Sequence, residues 1–187
     1  FPSSISITYG DKLSEAKLTW PKDADGNLQN GSGTWKFEDE NYVPTEEDIR
    51  KHKTFKLTYT PKDARLSPVT KEVLITTFIP KQINVKIDDK EMTYGDAIPE
   101  LTYSVIDKSQ LVNGDTQEDL DIDLMLDPYP TDMSAGKTYA IKGIPRNKNY
   151  DVTLHNGTLR INKKTVGIEW SNTKNLVYTG KSVNVTA

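Results

Sequence analysis

Apolar and polar residues alternate in short runs along most of the chain. "INVKI" (83–87), "LTYSV" (101–105), residues 120–126 and residues 138–142 each turn every second side chain to one face. That period of two marks a half-buried β-strand. "YDVTLHNGTLRI" (150–161) carries Asn156-Gly157 at its centre, a sequence that predicts a two-residue hairpin turn. Upstream, "GTWKF" (33–37) aligns Trp35 with Phe37, "TFKLTYTP" aligns Phe55, Leu57 and Tyr59, and "VTKEVLITTF" supplies later strands. A helical pattern occurs at one place only. "PTEEDIRKH" (44–52) opens with Thr-x-x-Asp and a run of acidic residues, which predicts one short helix or helical turn.

The strands recur together with a five-residue string. "ITYGD" (7–11) returns as "MTYGD" (92–96) and again, altered, in "LVYTGK" (176–181), so that Tyr9, Tyr94 and Tyr178 stand about 85 and 84 residues apart. The flanks repeat as well. "AKLTW" (16–20) and "PELTYSV" (99–105) share Leu-Thr-aromatic, which makes Trp20 and Tyr103 equivalents, and strands of one pattern precede the second and third strings. Repetition at a fixed period predicts a tandem array.

Three units follow: residues 1–80 with a truncated first strand, residues 81–163, and residues 164–187 as the opening strands of an incomplete third. The fold expected is all-β, tandem immunoglobulin-like β-sandwich modules with one short helical turn in the first. β-Grasp-like modules are the alternative. Each module is expected to close its own two-layer core, and the "FIPKQ" linker (78–82) is too short for free swivelling.

Within the string, Gly10, Gly95 and Gly180 follow a strand where positive φ is needed. Tyr9, Tyr94 and Tyr178 are expected to lie over a module's end with the hydroxyl near water. Asp11 and Asp96 are expected to bond nearby backbone N–H groups, a contact that Lys181 cannot make in the third copy. These positions form a structural motif, not a catalytic one.

Composition narrows the chemistry. Apolar residues make up 35% and charged residues 27% of the 187, with a formal net charge of −3 and no cysteine. Thin-cored β units fit these proportions, and without cysteine there is neither disulfide nor thiolate site. No basic tract points to nucleic acid, and no apolar run reaches membrane-spanning length. The chain opens Phe-Pro-Ser, as a piece excised from something longer would.

His52 and His155 fall in different units without motif neighbours and are expected to face solvent. "EDLDIDLMLD" (118–127) alternates strictly, and it lacks the glycine and distal Glu of a calcium loop, so it predicts a strand with an acidic outer face. "DADGN" (23–27) predicts a turn. Trp20, Trp35 and Trp170 each share a strand face with another apolar residue and are expected to pack in cores, not to stack on sugars. No catalytic, metal-ligating or cofactor-binding residues emerge. An intramolecular isopeptide bond has no evident partner for lysines such as Lys86.

"ITYGDKLSEAKLTW", "GTWKFED", "VPT" and "FKLTYTPKDA" resemble Ig-like repeats of large Gram-positive surface proteins. "MTYGDAIPELTY", "NGD", "SAGKTYAIKG" and "KNYDVTLHNGTLRINKK" are similar to the MBG domain of YGX type, and "LVYTGKSVNVTA" resembles the opening of YDG-type repeats. The resemblance implies an exported, wall-associated adhesin or similar multi-repeat protein, located at the cell surface, and carries no catalytic residues. On that footing the chain is expected to be a non-catalytic, monomeric, semi-rigid stalk that holds a distal binding domain away from the wall. Its partners would be the neighbouring repeats of the same chain, without nucleic acid or membrane insertion. A module binding host glycan or protein is the second reading, and a hydrolase with paired carboxylates is the third.

Overall fold

A computed structural model describes residues 1–167. Among the described residues the regular elements are almost all β-strands. The strands are β1 Ser4–Thr8, β2 Lys17–Thr19, β3 Thr34–Phe37, β4 Thr54–Thr60, β5 Val69–Leu74, β6 Thr77–Ile79, β7 Lys81–Ile87, β8 Lys90–Thr93, β9 Tyr103–Val105, β10 Ile122–Leu126, β11 Thr138–Pro145, β12 Tyr150–His155 and β13 Gly157–Asn162. They form four sheets, ordered β2-β1-β6, β3-β4-β5, β12-β7-β9 and β10-β11-β13-β8.

Alternation explains the strands. In β1, Ile5 and Ile7 point inward, in β7 Ile83, Val85 and Ile87 do, and in β13 Leu159 and Ile161 do, all at most 2% exposed. Their branched side chains suit the pleated surface. One core in the N-terminal half gathers Ile5, Ile7, Leu13, Phe37, Phe55 and Leu57. In the C-terminal half, Ile87, Met92, Leu126, Ile141, Leu159 and Ile161 come from both sheets and fill the space of a sandwich.

The one α-helix among the described residues, α1 Glu46–Arg50, is capped by Thr45, whose hydroxyl accepts from the Asp48 N–H at 3.1 Å while the Asp48 carboxylate accepts from the Thr45 N–H at 3.0 Å. Sequence reading anticipated this turn and its cap. At five residues with no buried side chain, α1 is too short to lie across a sheet, which removes the β-grasp alternative.

The expected hairpin at Asn156-Gly157 does not form. β12 and β13 do not pair with each other. β12 pairs in parallel with β7, and β13 pairs in parallel with β8 and antiparallel with β11. Both parallel ladders keep one offset, Tyr150 opposite Lys81 and Leu159 opposite Lys90, so they are two parts of one ribbon bent over both sheets. Gly157 marks the bend. A Cβ there would lie 2.6 Å from the Asp88 carbonyl oxygen and 2.8 Å from that of Ile87. The glycine therefore serves a close approach of two backbones, not a turn. The Asp89 carboxylate holds the bend by accepting from the Thr158 N–H at 2.8 Å and hydroxyl at 2.9 Å.

Residues 118–126 also depart from the expected continuous strand. Glu118–Leu120 is a 3-10 turn, Asp121 is left-handed at φ 49, and only Ile122–Leu126 is extended. Leu120 is fully buried, and the turn is what drives it inward. "DADGN" is a turn, with Asp23 Oδ1 accepting from the N–H groups of Asp25 and Asn27. His52 and His155 are exposed.

Candidate functional site at the junction of the two halves

Pro80 alone separates β6 from β7, and the chain runs from one half into the other without a loop. On both sides backbone bonds clamp this passage, Tyr9 N–H to Ile79 O at 2.8 Å and Lys81 N–H to Asn149 O at 2.9 Å. The corner 9–11 therefore stands against the first strands of the C-terminal half.

The corner's geometry follows from Gly10. Its φ of +86 lies in the left-handed region, and the Asp11 N–H closes the turn onto Thr8 O at 3.0 Å. Tyr9, still in register with Ile5 and Ile7, then projects beyond the end of β1. Its ring does not join the core of its own half. It enters a cluster with Ile83, Val85, Val105, Leu120 and Tyr150, and Phe78 packs against both clusters. Tyr9 meets Phe78 and Tyr150 edge-on, with ring centroids 6.0 and 5.4 Å apart. Tyr9 is 9% exposed, so for this copy the expectation of a hydroxyl near water is corrected, and its ring is a buried side chain that leaves the core of its own half.

One carboxylate holds the two tyrosines. The hydroxyls of Tyr9 and Tyr150 both donate to Asp115 Oδ2, at 2.9 and 2.8 Å, and the Tyr150 oxygen accepts from the Val112 N–H at 3.1 Å. Burial pushes the Tyr9 phenol above its ordinary value, and Asp115 adds to this against the Asn113 side chain. Burial likewise raises Tyr150, opposed by the Val112 N–H and reinforced by Asp115 and Tyr9. Both phenols are thus kept as neutral donors, the form the carboxylate requires.

The loop that carries Asp115 turns through Asn113 (φ 60) and Gly114 (φ 82) and closes with Asp115 N–H to Val112 O at 3.0 Å. Val112 seats on Gly10, where a Cβ would lie 2.4 Å from Val112 Cγ2. Gly10 is thereby fixed twice, by φ and by contact. Lys81 Nζ reaches Asp11 Oδ1 at 3.4 Å, with both side chains about a quarter to a third exposed (30% and 26%). The Asp11 side chain therefore serves the junction, and the turns at both corners close through backbone bonds instead, Asp96 N–H reaching Thr93 O at 2.9 Å.

The second copy has the same backbone and different surroundings. Gly95 has φ +91 and Tyr94 N–H bonds to Asn162 O at 2.9 Å, as Tyr9 does to Ile79. Yet Tyr94 is 52% exposed, and among the described residues no atom lies within 4 Å of a Cβ built on Gly95. Tyr178 and Gly180, with Trp170 and the third set of strands, lie outside the described residues.

Sequence reading singled out the corner but missed the residues that receive it, Asp115, Val112, Tyr150 and Phe78. Asn113-Gly114 signalled a turn, and nothing in the spacing tied that turn to a tyrosine more than a hundred positions earlier.

The tryptophans are not fully core. Trp35 packs on the N-terminal core, while the rings of Trp20 and Tyr59 lie tilted against it with centroids 4.6 and 4.7 Å away, and all three stay half-buried. Among the described residues no three His, Cys, Asp or Glu side chains gather as a metal site, and no helix is long and apolar enough to cross a membrane.

Residues 83–160 match the family model described as MBG domain (YGX type). The match takes in β8 with the second corner, the 112–115 loop and nearly all of the bent ribbon. No curated protein matches the sequence.

Proposed function

We propose that this MBG-containing chain is a non-catalytic, semi-rigid spacer in a multi-repeat, wall-associated surface protein of adhesin type, holding a distal binding domain away from the cell. Residues 1–80 and 81–163 act as two successive modules, and 164–187 open a third. The observation that carries this reading is the junction. A linker of one proline, a tyrosine of the first module seated in the second, and a shared carboxylate together oppose hinge motion. Domain contacts in flexible chains are typically more polar and allow relative motion. Nearest-neighbour contacts of this kind set the stiffness of a repeat array.

The polar groups at the junction are taken up by one another, which leaves them suited to holding modules, not to turning over a substrate. Small-angle X-ray scattering tests the spacer directly, with an elongated particle of one conformation expected and a distribution of bent shapes refuting it. Protease shaving of intact cells tests the location, since peptides of this chain should be released without lysis.

The half-buried aromatic cluster of Trp20, Trp35 and Tyr59 favours the second reading, a glycan-binding module, because aromatic faces bind sugars. Binding on a glycan array that disappears with Trp20→Ala would establish it, and the spacer reading expects none.

A further inference from the structure

We infer that the exposed corner at Tyr94–Gly95–Asp96 is the docking surface for a further β unit, which seats an apolar side chain on Gly95 and an acidic one on the Tyr94 hydroxyl. This inference rests on the spacer reading and adds to it the residues and the chemistry of the partner.

The second corner corresponds to an interface already in the molecule. β1 pairs in parallel with β6, and β8 pairs in parallel with the end of β13. From each first strand a tyrosine N–H bonds the last residue of the second, Ile79 or Asn162. Each corner then turns through a glycine near φ +90 and closes with an aspartate N–H on a threonine carbonyl. After Ile79 come Pro80 and Lys81, and after Asn162 come Lys163 and Lys164. Lys164 therefore occupies the place of Lys81, whose ammonium meets Asp11, and Asp96 stands where Asp11 does.

At the first corner every one of these features is explained by what covers it. Gly10 lies under Val112, Tyr9 lies among Ile83, Val85 and Tyr150, and its hydroxyl is taken by Asp115. At the second corner the same features are present and uncovered among the described residues. A half-exposed tyrosine beside a left-handed glycine with open space above it gives no stability to its own module. Among the described residues Gly95 has no neighbour that forbids a side chain, so only its φ or a partner beyond them demands it. The same side chains facing the same way require the same complement. The partner is therefore a unit with a loop like Val112-Asn113-Gly114-Asp115, placed directly after the Lys163-Lys164 step.

The test inserts a second copy of residues 81–163 between Lys163 and Lys164 of the full chain, which keeps the junction spacing. Tyr94→Phe in the original copy and Asp115→Asn in the inserted copy are then measured alone and together by thermal unfolding. In the 187-residue chain Tyr94→Phe should leave the midpoint unmoved. In the extended chain it should lower the midpoint of the flanking modules by roughly 2–4 °C, and Asp115→Asn in the inserted copy, which keeps only a neutral acceptor oxygen, should reduce that effect.

Equal effects of Tyr94→Phe in both chains, or additivity with Asp115→Asn, would overturn the inference. An inserted copy that stays unfolded would overturn it too, because a corner shaped to receive it would have held it. Tyr9→Phe with Asp115→Asn in the original copy is the control. Loss of that coupling would instead count against the spacer reading, so the two failures are distinct.

Discussion

Removing one carboxylate should uncouple the two halves of this chain. Asp115→Ala leaves the hydroxyls of Tyr9 and Tyr150 without the oxygen that both now reach, at 2.9 and 2.8 Å. A hydrogen bond to a charged group contributes about 1.5–3 kcal/mol, so two independent bonds would give about 3–6. They are not independent, since one oxygen serves both. Water can also enter from the groove that Tyr9, Asn113, Asp115 and Asn149 help to line. An expected loss of about 2–4 kcal/mol follows, on the order of 10 °C in midpoint for a chain of this length.

Urea unfolding should be followed by two probes. In a Trp170→Phe background the remaining tryptophans, Trp20 and Trp35, report on the N-terminal half, and far-ultraviolet circular dichroism reports on both. The two transitions should coincide in the parent and separate in Asp115→Ala, with the C-terminal half unfolding first because its cluster has lost the anchored Tyr9 ring. Asp115→Asn keeps one acceptor oxygen and should fall between. A loss below about 0.5 kcal/mol, or an unchanged Asp115→Ala effect in a Tyr9→Phe background, would refute the reasoning.

The two corner glycines should respond unequally. Gly95→Ala meets only the backbone strain of positive φ, about 1 kcal/mol, whereas Gly10→Ala must also displace Val112 and should cost about 2–4 kcal/mol by the same denaturation. Thr45→Ala removes the α1 cap and should cost about 1 kcal/mol, while Asp48→Ala, which also strips Tyr42 and Lys53 of a partner, should cost more. Acid should reveal Asp48. Although burial opposes it, the Thr45 N–H, the Tyr42 and Thr45 hydroxyls and the Lys53 ammonium bring its carboxyl down to about 2, from an ordinary 3.8. A depressed folded value means stability present above pH ~3.8 and lost as pH falls through ~2. About 1–2 kcal/mol should vanish across that window and be missing from Asp48→Asn at every pH. Alkali should act on the junction. The raised phenols of Tyr9 and Tyr150 contribute stability below about pH 10 that is lost as pH rises further, and Phe at both positions should flatten that limb.

How much of this was legible in the sequence depends on the range of the interaction. Alternation placed Ile83, Val85 and Ile87 inward because a strand's face is set by its own residues. Thr45 and Asp48 announced α1 because a capping box is closed within four positions. Asn156-Gly157 misled because the same dipeptide suits a turn or a tight passage. Only the carbonyls of Ile87 and Asp88, far away in sequence, decide between them. The corner was visible as a repeated string, but its partner was not. Tyr9 looks like any strand-end tyrosine until the 112–115 loop folds over Gly10, and two copies of one string can then have opposite exposures, 9% and 52%.

The central claim is that the junction fixes one half of the chain against the other. The chain has no cysteine, so Thr60→Cys in β4 and Thr153→Cys in β12, both exposed, accept spin labels at chosen sites alone. Their distance distribution by double electron–electron resonance tests that claim most directly. A single narrow population that broadens on Asp115→Ala is the predicted result. A broad distribution in the unmutated junction, indifferent to Asp115, would contradict it.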